Sequence, residues 1–314
     1  MHAATSAHAI PGHPERPERI DAAAAGVASG AALGSASCVR PVVDPIDPAI
    51  LRLVHPDRFV ADLDSLAADG GGWIDSDTQL MRGSMVAARL AAGASVQAAL
   101  AVAAGRAEIA FAAVRPPGHH AASERAAGFC LLNNVALAAA ALRRAGAAQR
   151  IAILDWDVHH GDGTQAIFDA DPDLVYASTH QAPLYPGSGR PDQRGSGPAL
   201  GTMHNHPLPA GSGDGAFVSA WIEHLLPLVE AWQPEAILVS AGYDAHRADP
   251  LAGLDVTAAG YRAVARGVGE MTRRLRLPGV ALTLEGGYEL DALRDSAEAT
   301  VIGLLEGMAA PGSD

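Results

Sequence analysis

Residues 151–165 read IAILDWDVHHGDGTQ, and the change of character halfway along this stretch decides the fold. Ile151 to Leu154 is a short apolar run bounded by Arg150 and Asp155, the pattern of a strand buried on both faces of a parallel sheet. Asp155, Asp157, His159, His160 and Asp162 follow at once. Side chains of an extended segment alternate faces, so Asp155, Asp157 and His159 are expected to project to one side at the carboxyl end of that strand. Open α/β sheets place their ligands at that end. Two carboxylates and an imidazole crowded together repel or desolvate unless a cation sits among them, and this donor set suits Zn(II) or Fe(II). A solvated polar turn is the better account of one Asp-x-His in isolation, so the decision falls on whether other strands end in matching chemistry.

Working outward, the 314 residues with 49% hydrophobic content can bury a large core, and one α/β domain over residues 1–314 is expected. Only Cys38 and Cys130 occur, neither in a CxxC arrangement, which argues against a disulfide framework and a thiolate zinc site and for a reducing, cytosolic setting. The start, MHAATSAHAIPGH, lacks the basic and apolar pattern of a signal peptide, and no uninterrupted apolar span suggests a membrane crossing. The formal net charge is −13 and no lysine occurs among the basic residues. An acidic surface disfavours nucleic acid as a partner and attracts cationic substrates.

Along the chain, HPERPERI (His13 to Ile20) leads into an Ala-rich helix from about Pro17 to Leu33. Ser37 to Val43 reads as an edge strand that tolerates Pro41, Pro48 to Ala67 as a helix, and Asp69 to Thr78 as a surface loop. Met81 to Ala104 is expected to be a helix, Ile109 to Val114 a strand running into RPPGHH, and Phe129 to Ala145 a helix before the central strand. After a helix from Asp162 to Asp169, Leu174 to Thr179 is a strand, and Gln181 to Gly215, rich in Gly and Pro, one long functional loop. Helices over Asp214 to Glu230, Thr257 to Leu275 and Leu290 to Leu305 alternate with strands Ala236 to Ser240 and Val280 to Leu284. Such alternation predicts a single-domain, mainly parallel sheet covered by helices on both faces.

Four of these strands end in chemistry: His119 and His120 after one, Asp155 to His159 after the next, Asp244 after AILVSAGY, and Tyr288 after VALTLEGG. Buried carboxylates and imidazoles converging on one sheet edge cost several kcal/mol unless paired or metallated. Asp157, His159 and Asp244 supply three ligands and leave a coordination position open, as catalytic sites do. The paired histidines offer a base and an acid near neutral pH, and a tyrosine after a Gly-Gly turn can stabilise an oxyanion. Together these parts describe metal-assisted hydrolysis of an amide or ester.

The segments HPERPERI, RPPGHHA, GFCLLNN, ILDWDVHHGDGTQ, STHQAPLYPGSG, SAGYDAHRADPLAG and LEGGY resemble, in order, those of the histone deacetylase family, which includes acetoin-utilisation-type deacetylases and acetylpolyamine amidohydrolases. DPLAG and LEGGY are similar to the class II side. The resemblance implies the arginase/deacetylase-like fold and a zinc-dependent deacetylase acting on acyl-lysine or a small acylated amine. It implies Asp157, His159 and Asp244 as metal ligands, Tyr288 as the transition-state tyrosine, and His119 and His120 oriented by Asp155 and Asp162, with His120 the base. Gly128, Phe129, Tyr185 and Leu251 match the walls of a narrow acyl channel, Tyr185 standing where many relatives carry Phe. Asp155, Asp157, His159 and Ser178 resemble an inner potassium site, and Phe168, Asp171 and Leu174 an outer one. The family's first β-strand precedes HPERPER, and the twelve residues here are too polar to supply it, so either the start has been assigned too late or the sheet lacks that edge strand and Ser37 to Val43 loses its neighbour.

Three rival readings remain at this stage. An acetylpolyamine amidohydrolase would share all these parts, but the short Asp69 to Asp77 loop lacks the insertion that narrows such enzymes. A binuclear manganese ureohydrolase of the arginase type needs further bridging carboxylates, and AGYDAH supplies one Asp. A catalytically weak acyl-ligand binding module would need neither Tyr288 nor the histidine pair. His55, Cys38 and Cys130 read as structural residues, and His204 and His206 as part of a polar loop.

Overall fold

The computed structural model describes residues 8–309. In chain order the helices are α1 (Glu18–Leu33), α2 (Pro48–Leu51), α3 (Asp57–Ala68), α4 (Ser84–Ala103), α5 (Asn134–Arg144), α6 (Asp162–Phe168), α7 (Asp214–Ser219), α8 (Leu226–Trp232), α9 (Ala258–Arg274) and α10 (Leu290–Ala309). The strands are β1 (Gly71–Trp73), β2 (Gln79–Met81), β3 (Ile109–Ala112), β4 (Ile151–Asp155), β5 (Leu174–Gln181), β6 (Met203–Leu208), β7 (Ala236–Ala241) and β8 (Val280–Leu284). Strands β3 to β8 form one sheet in the order β3-β8-β7-β4-β5-β6, every pairing parallel. Parallel pairing aligns the carboxyl ends, so that Asp155 of β4 sits level with Ser178 of β5 and Ser240 of β7.

Both faces of the sheet are dry. In β4 the odd residues Ile151 and Ile153 pack into the core beneath α4 and α5, and the even residues Ala152 and Leu154 into a second core shared with α9 and α10. A strand buried on both sides has no room for polar side chains until it ends, which is why β4 is apolar to Leu154. Each fully buried aliphatic side chain contributes roughly 1.5–3 kcal/mol. Helix α4 is long and apolar enough to cross a membrane by length and composition, contrary to the sequence expectation. It is nevertheless mostly buried in the protein and packs on α5 and β3.

Several expectations are corrected. Ser37 to Val43 forms no strand: Pro41 cannot donate to a ladder, and Val39 and Val42 are 83% and 84% exposed. The expected absence of a first edge strand concerns residues 1–12, of which residues 1–7 lie outside the described residues; His8 to Gly12 are irregular. The helix expected over Pro48 to Ala67 is two helices broken at Pro56, whose ring removes the N–H that would continue the first. Residues 69–78 are not a plain loop: β1 and β2 pair as a small antiparallel ribbon. Gln181 to Gly215 contains β6, the far edge of the sheet, pairing Tyr176↔Met203 through Gln181↔Leu208. MHNHPL lacks the β-branched residues that mark a strand, and Pro207 is tolerated only because β6 is an edge. The helix from Asp214 is interrupted by a π turn, Ala220–Leu225, immediately before Pro227, which cannot make the ordinary helical bond.

The HPERPER segment anchors the carboxyl edge of the sheet from below. Arg19 and Arg115 are fully buried around Glu15, with Arg19 Nη1 to Oε1 at 3.0 Å and Arg115 Nη2 to Oε2 at 2.5 Å. Arg19 also donates to the carbonyls of Gly287, at 2.6 Å, and Glu285, at 2.5 Å. Burial alone would raise the Glu15 carboxyl, but the His8 hydrogen bond and the Arg115 and Arg19 charges hold it well below the usual carboxylate range. Its contribution to stability is therefore present above the ordinary glutamate pKa and lost as pH falls below it. Glu15→Ala should lower stability by roughly 3–5 kcal/mol, because removing one partner leaves buried guanidinium charge without its carboxylate. Denaturant unfolding of the variant measures this, and a loss under about 1 kcal/mol, the worth of an exposed pair, would refute the anchoring role.

Candidate active site

The side-chain alternation of β4 continues past its end. Trp156 and Val158 enter the core shared with α9 and α10, while Asp155, Asp157 and His159 turn toward the carboxyl edge. Asp157 and Asp244 are each 1% exposed. Their free oxygens are held by backbone donors: Asp157 Oδ2 accepts from Gly286 N at 2.7 Å, and Asp244 Oδ1 accepts from Val158 N at 2.9 Å. The remaining oxygens, Asp157 Oδ1 and Asp244 Oδ2, both face His159 Nδ1 at 3.1 Å.

One ring nitrogen carries at most one hydrogen, so the two carboxylates can only share it in a bifurcated, weaker bond. Burial alone would lower His159, yet the hydrogen bonds and charges of Asp157 and Asp244 push it up to about 10. Asp244 itself is pushed up, by burial and by the Asp157 charge. The cluster thus demands positive charge, and a divalent ion taking the place of the imidazole proton supplies it. Donor atoms of Asp157, His159 and Asp244 lie within 4.8 Å of one another. The walls leave space for this and no more: a Cβ at Gly286 would come within 2.1 Å of Asp244 Oδ2, and one at Gly242 within 2.1 Å of Asp157 Oδ2. A borderline divalent metal fits this oxygen and nitrogen set.

The histidine pair stands beside it on the segment after β3. His119 Nδ1 lies 3.1 Å from Asp155 Oδ2 and its Nε2 3.8 Å from Asp157 Oδ1. His120 Nδ1 lies 2.8 Å from Asp162 Oδ1, at the start of α6, and Asp162 is also paired with Arg125. Burial would lower both imidazoles. For His119 the Asp157 and Asp155 carboxylates outweigh it and raise the ring. For His120 burial and the neighbouring His119 charge prevail and bring it down to about 3.

Tyr288 follows Gly287, whose φ of +113° favours glycine. Its ring stands edge-on to Phe129 at 5.9 Å, beneath the Arg19 guanidinium at 4.7 Å. Burial pushes its hydroxyl well above the ordinary value, so it remains a donor. These groups floor a cavity of about 220 Å³ walled by Gly128, Phe129, Tyr185 and Leu251. Phe129 adopts φ +67°, a conformation costly for a bulky residue, in the tight turn closed by the Ala127 and Cys130 backbones. Its N–H donates to Thr78 Oγ1 at 3.1 Å. A larger groove of about 680 Å³ over Pro45 to Leu51 and Arg89 holds none of these groups.

Ser178 sits level with Asp155 in the next strand, its hydroxyl 3.0 Å from His180 Nδ1. Phe168 and Leu174 are buried, away from the cavity. Asp171 is engaged by Arg143, which leaves backbone carbonyls, not this carboxylate, for an outer cation. His55 is buried and satisfied, accepting from Asn133 N at 2.9 Å. His204 and His206 lie on the edge strand β6, not in a loop.

Sequence reasoning missed Asp77, Pro117, Leu184 and Gly286 in the cavity wall, together with two buried acids. Glu285 Oε2 accepts from Gly118 N at 2.6 Å and His119 N at 3.1 Å, and its Oε1 from the Ser240 hydroxyl at 3.0 Å; burial raises it to about 7. Asp249 bonds the turn that carries Tyr288. Both stand inside motifs already singled out, LEGGY and SAGYDAHRADPLAG, and an acid beside a candidate site residue was the available signal.

Comparison with known proteins gives the family and the fold. Residues 13–304 match the histone deacetylase domain. A "Probable deacetylase" of Archaeoglobus fulgidus is 39% identical over 301 residues, covering 95% of this chain and 82% of that protein. Histone deacetylase 15 of Arabidopsis thaliana is 39% identical over 93% of this chain, which spans 53% of that longer protein. The crystal structure of the HDA15 HD domain superposes with a TM-score of 0.90 at 36% identity, covering 100% of this chain and 89% of that one. Acetylpolyamine aminohydrolase from Burkholderia pseudomallei superposes with a TM-score of 0.85 at 32% identity over 97% of both chains.

Reconstituted protein should retain one divalent transition ion per chain, and Asp244→Ala should lose it. Elemental analysis of dialysed protein reads both, and two ions per chain would favour a binuclear centre instead.

Proposed function

Because the chain belongs to the histone deacetylase family, whose members hydrolyse non-peptide amides, we propose that it is a zinc-dependent deacetylase acting on an acyl-lysine or a small acylated amine. The observation that carries this reading is the meeting of the Asp157, His159 and Asp244 donors with His119, His120 and Tyr288 around one narrow cavity. Zinc held by those three residues would supply a Lewis acid that polarises the acyl carbonyl and activates water.

The chain's own residues do the rest. His120, neutral because of its burial, donates its Nδ1 proton to Asp162, which leaves Nε2 as the acceptor that takes a proton from the attacking water. His119, raised by the carboxylates around it, holds positive charge near the developing oxyanion and offers a proton to the leaving amine. Tyr288 donates its hydroxyl to that oxyanion. Phe129 and Tyr185 flank the acyl chain and exclude bulk water. The potassium sites remain part of the proposal, the inner one supported by the adjacency of Asp155 and Ser178.

Among the described residues only Asp157, His159 and Asp244 gather as a metal-ligand group, which favours this mononuclear reading over the ureohydrolase. An acylpolyamine is the second substrate reading, favoured by the likeness to the Burkholderia enzyme and by Asp77 on the cavity wall, where it would attract a cationic amine. Turnover of acetyl-lysine peptides, acetylpolyamines and small amides by metal-loaded protein separates the two, and failure on all three would sink the proposal.

Tyr288→Phe should lower turnover about 100-fold with metal content unchanged, the worth of one oxyanion donor; full turnover would remove its role. His120→Ala should nearly abolish turnover at every pH, whereas His119→Ala should retain measurable activity. Equal losses with identical pH profiles would refute the division between the two histidines.

A further inference from the structure

Asp249 is buried at 7% exposure, and among the described residues it forms no ion pair. A buried carboxylate is costly unless hydrogen-bonded, and this one is satisfied entirely by backbone. Its Oδ1 accepts from Leu251 N at 3.1 Å; its Oδ2 accepts from Tyr288 N at 2.6 Å and Glu289 N at 3.4 Å. The two oxygens therefore end on different loops. One follows β7 and carries the channel wall Leu251; the other follows β8 and carries Tyr288. The acid's own N–H donates to His246 O at 2.8 Å, and Pro250 follows it, so the bridging residue is itself stiff.

The Arg19 guanidinium and the Phe129 ring constrain the Tyr288 ring from its sides. The height of its backbone above the cavity floor depends on the turn at Gly287, whose positive φ makes it a natural pivot. A displacement of about 1 Å at a reacting group is enough to cost a large part of the rate. We propose that Asp249 is a positioning residue for the deacetylation: one carboxylate sets the backbone of the oxyanion donor and of the channel wall against each other, so the acyl group and the Tyr288 hydroxyl arrive in register. The task needs a carboxylate, because both loops present N–H donors. An amide in its place offers one oxygen and turns an NH2 group against the other loop.

The proposal rests on Tyr288 being the oxyanion donor, and the experiment tests both in one cycle with metal-loaded protein and an acetyl-lysine peptide. Asp249→Asn should lower kcat by about tenfold or more, by displacement of the donor, and raise KM through Leu251, with metal content unchanged. In a Tyr288→Phe background there is no hydroxyl to position. The same substitution should then raise KM but change kcat by less than about twofold, since residues acting through one another are not additive. Full turnover by Tyr288→Phe alone would remove the donor reading beneath the proposal. With Tyr288→Phe impaired, equal kcat losses for Asp249→Asn in both backgrounds would overturn the positioning role and leave the deacetylase reading standing. Asp249→Ser, shorter and left with one oxygen where two loops need one each, is carried in parallel with the same expectation. If circular dichroism found both Asp249 variants unfolded, the residue would be structural and the proposal overturned.

Discussion

The constraint on which the rest depends is the approach of two buried carboxylates, Asp157 and Asp244, to a single imidazole nitrogen at 3.1 Å. Neither acid has a lysine or arginine partner among the ion pairs of the described residues. In a dry interior their repulsion is tolerable only with positive charge between them. The fold supplies the means of holding them there. Parallel strands end together, and the peptide N–H groups of Val158 and Gly286 occupy the outward oxygens, leaving the inward ones for a cation. The glycines at 242 and 286 are part of the same constraint, because any side chain there would enter the carboxylates.

Around that centre the protein repeats one device: a buried acid whose oxygens tie one loop to another part of the fold. Glu285 gathers the amides of Gly118 and His119 and the hydroxyl of Ser240, and so sets the histidine pair against β7 and β8. Asp249 gathers those of Leu251 and Tyr288. Glu15, paired with two buried arginines, supports the turn before Tyr288 from beneath through Arg19. Loops ordered by such bonds can hold a site as firmly as regular structure, because each bond sits in a low dielectric and is costly to leave unmade.

The two histidines show how environment divides identical side chains. They are adjacent in sequence, with rings 4.0 Å apart, yet His119 leans on Asp155 deep in the sheet while His120 leans on Asp162, whose charge is shared with Arg125. The first is raised and the second lowered, the separation on which their proposed roles as acid and base rest.

By itself, the sequence determined the parallel α/β class, through apolar runs such as Ile151 to Leu154, and the chemistry at the strand ends, because only Asp, His and Tyr at those positions change the local polarity abruptly. Local patterns also carried most helices to within a few residues. They failed where structure depends on a neighbour. Residues 37–43 have strand-like composition but no partner strand among the described residues, whereas Met203 to Leu208 has poor strand composition but a free edge of β5 to join. The resemblance already marked Asp157 and Asp244 for a metal and Asp155 and Asp162 for the histidines, and only the tertiary structure showed that Asp249 and Glu285 hold backbone amides. Asp155, Asp157, Asp162, Asp244 and Asp249 are the same sequence letter, and Glu285 differs from them by one methylene. Their roles come from the distances and the burial that folding imposes, and no local pattern contains those.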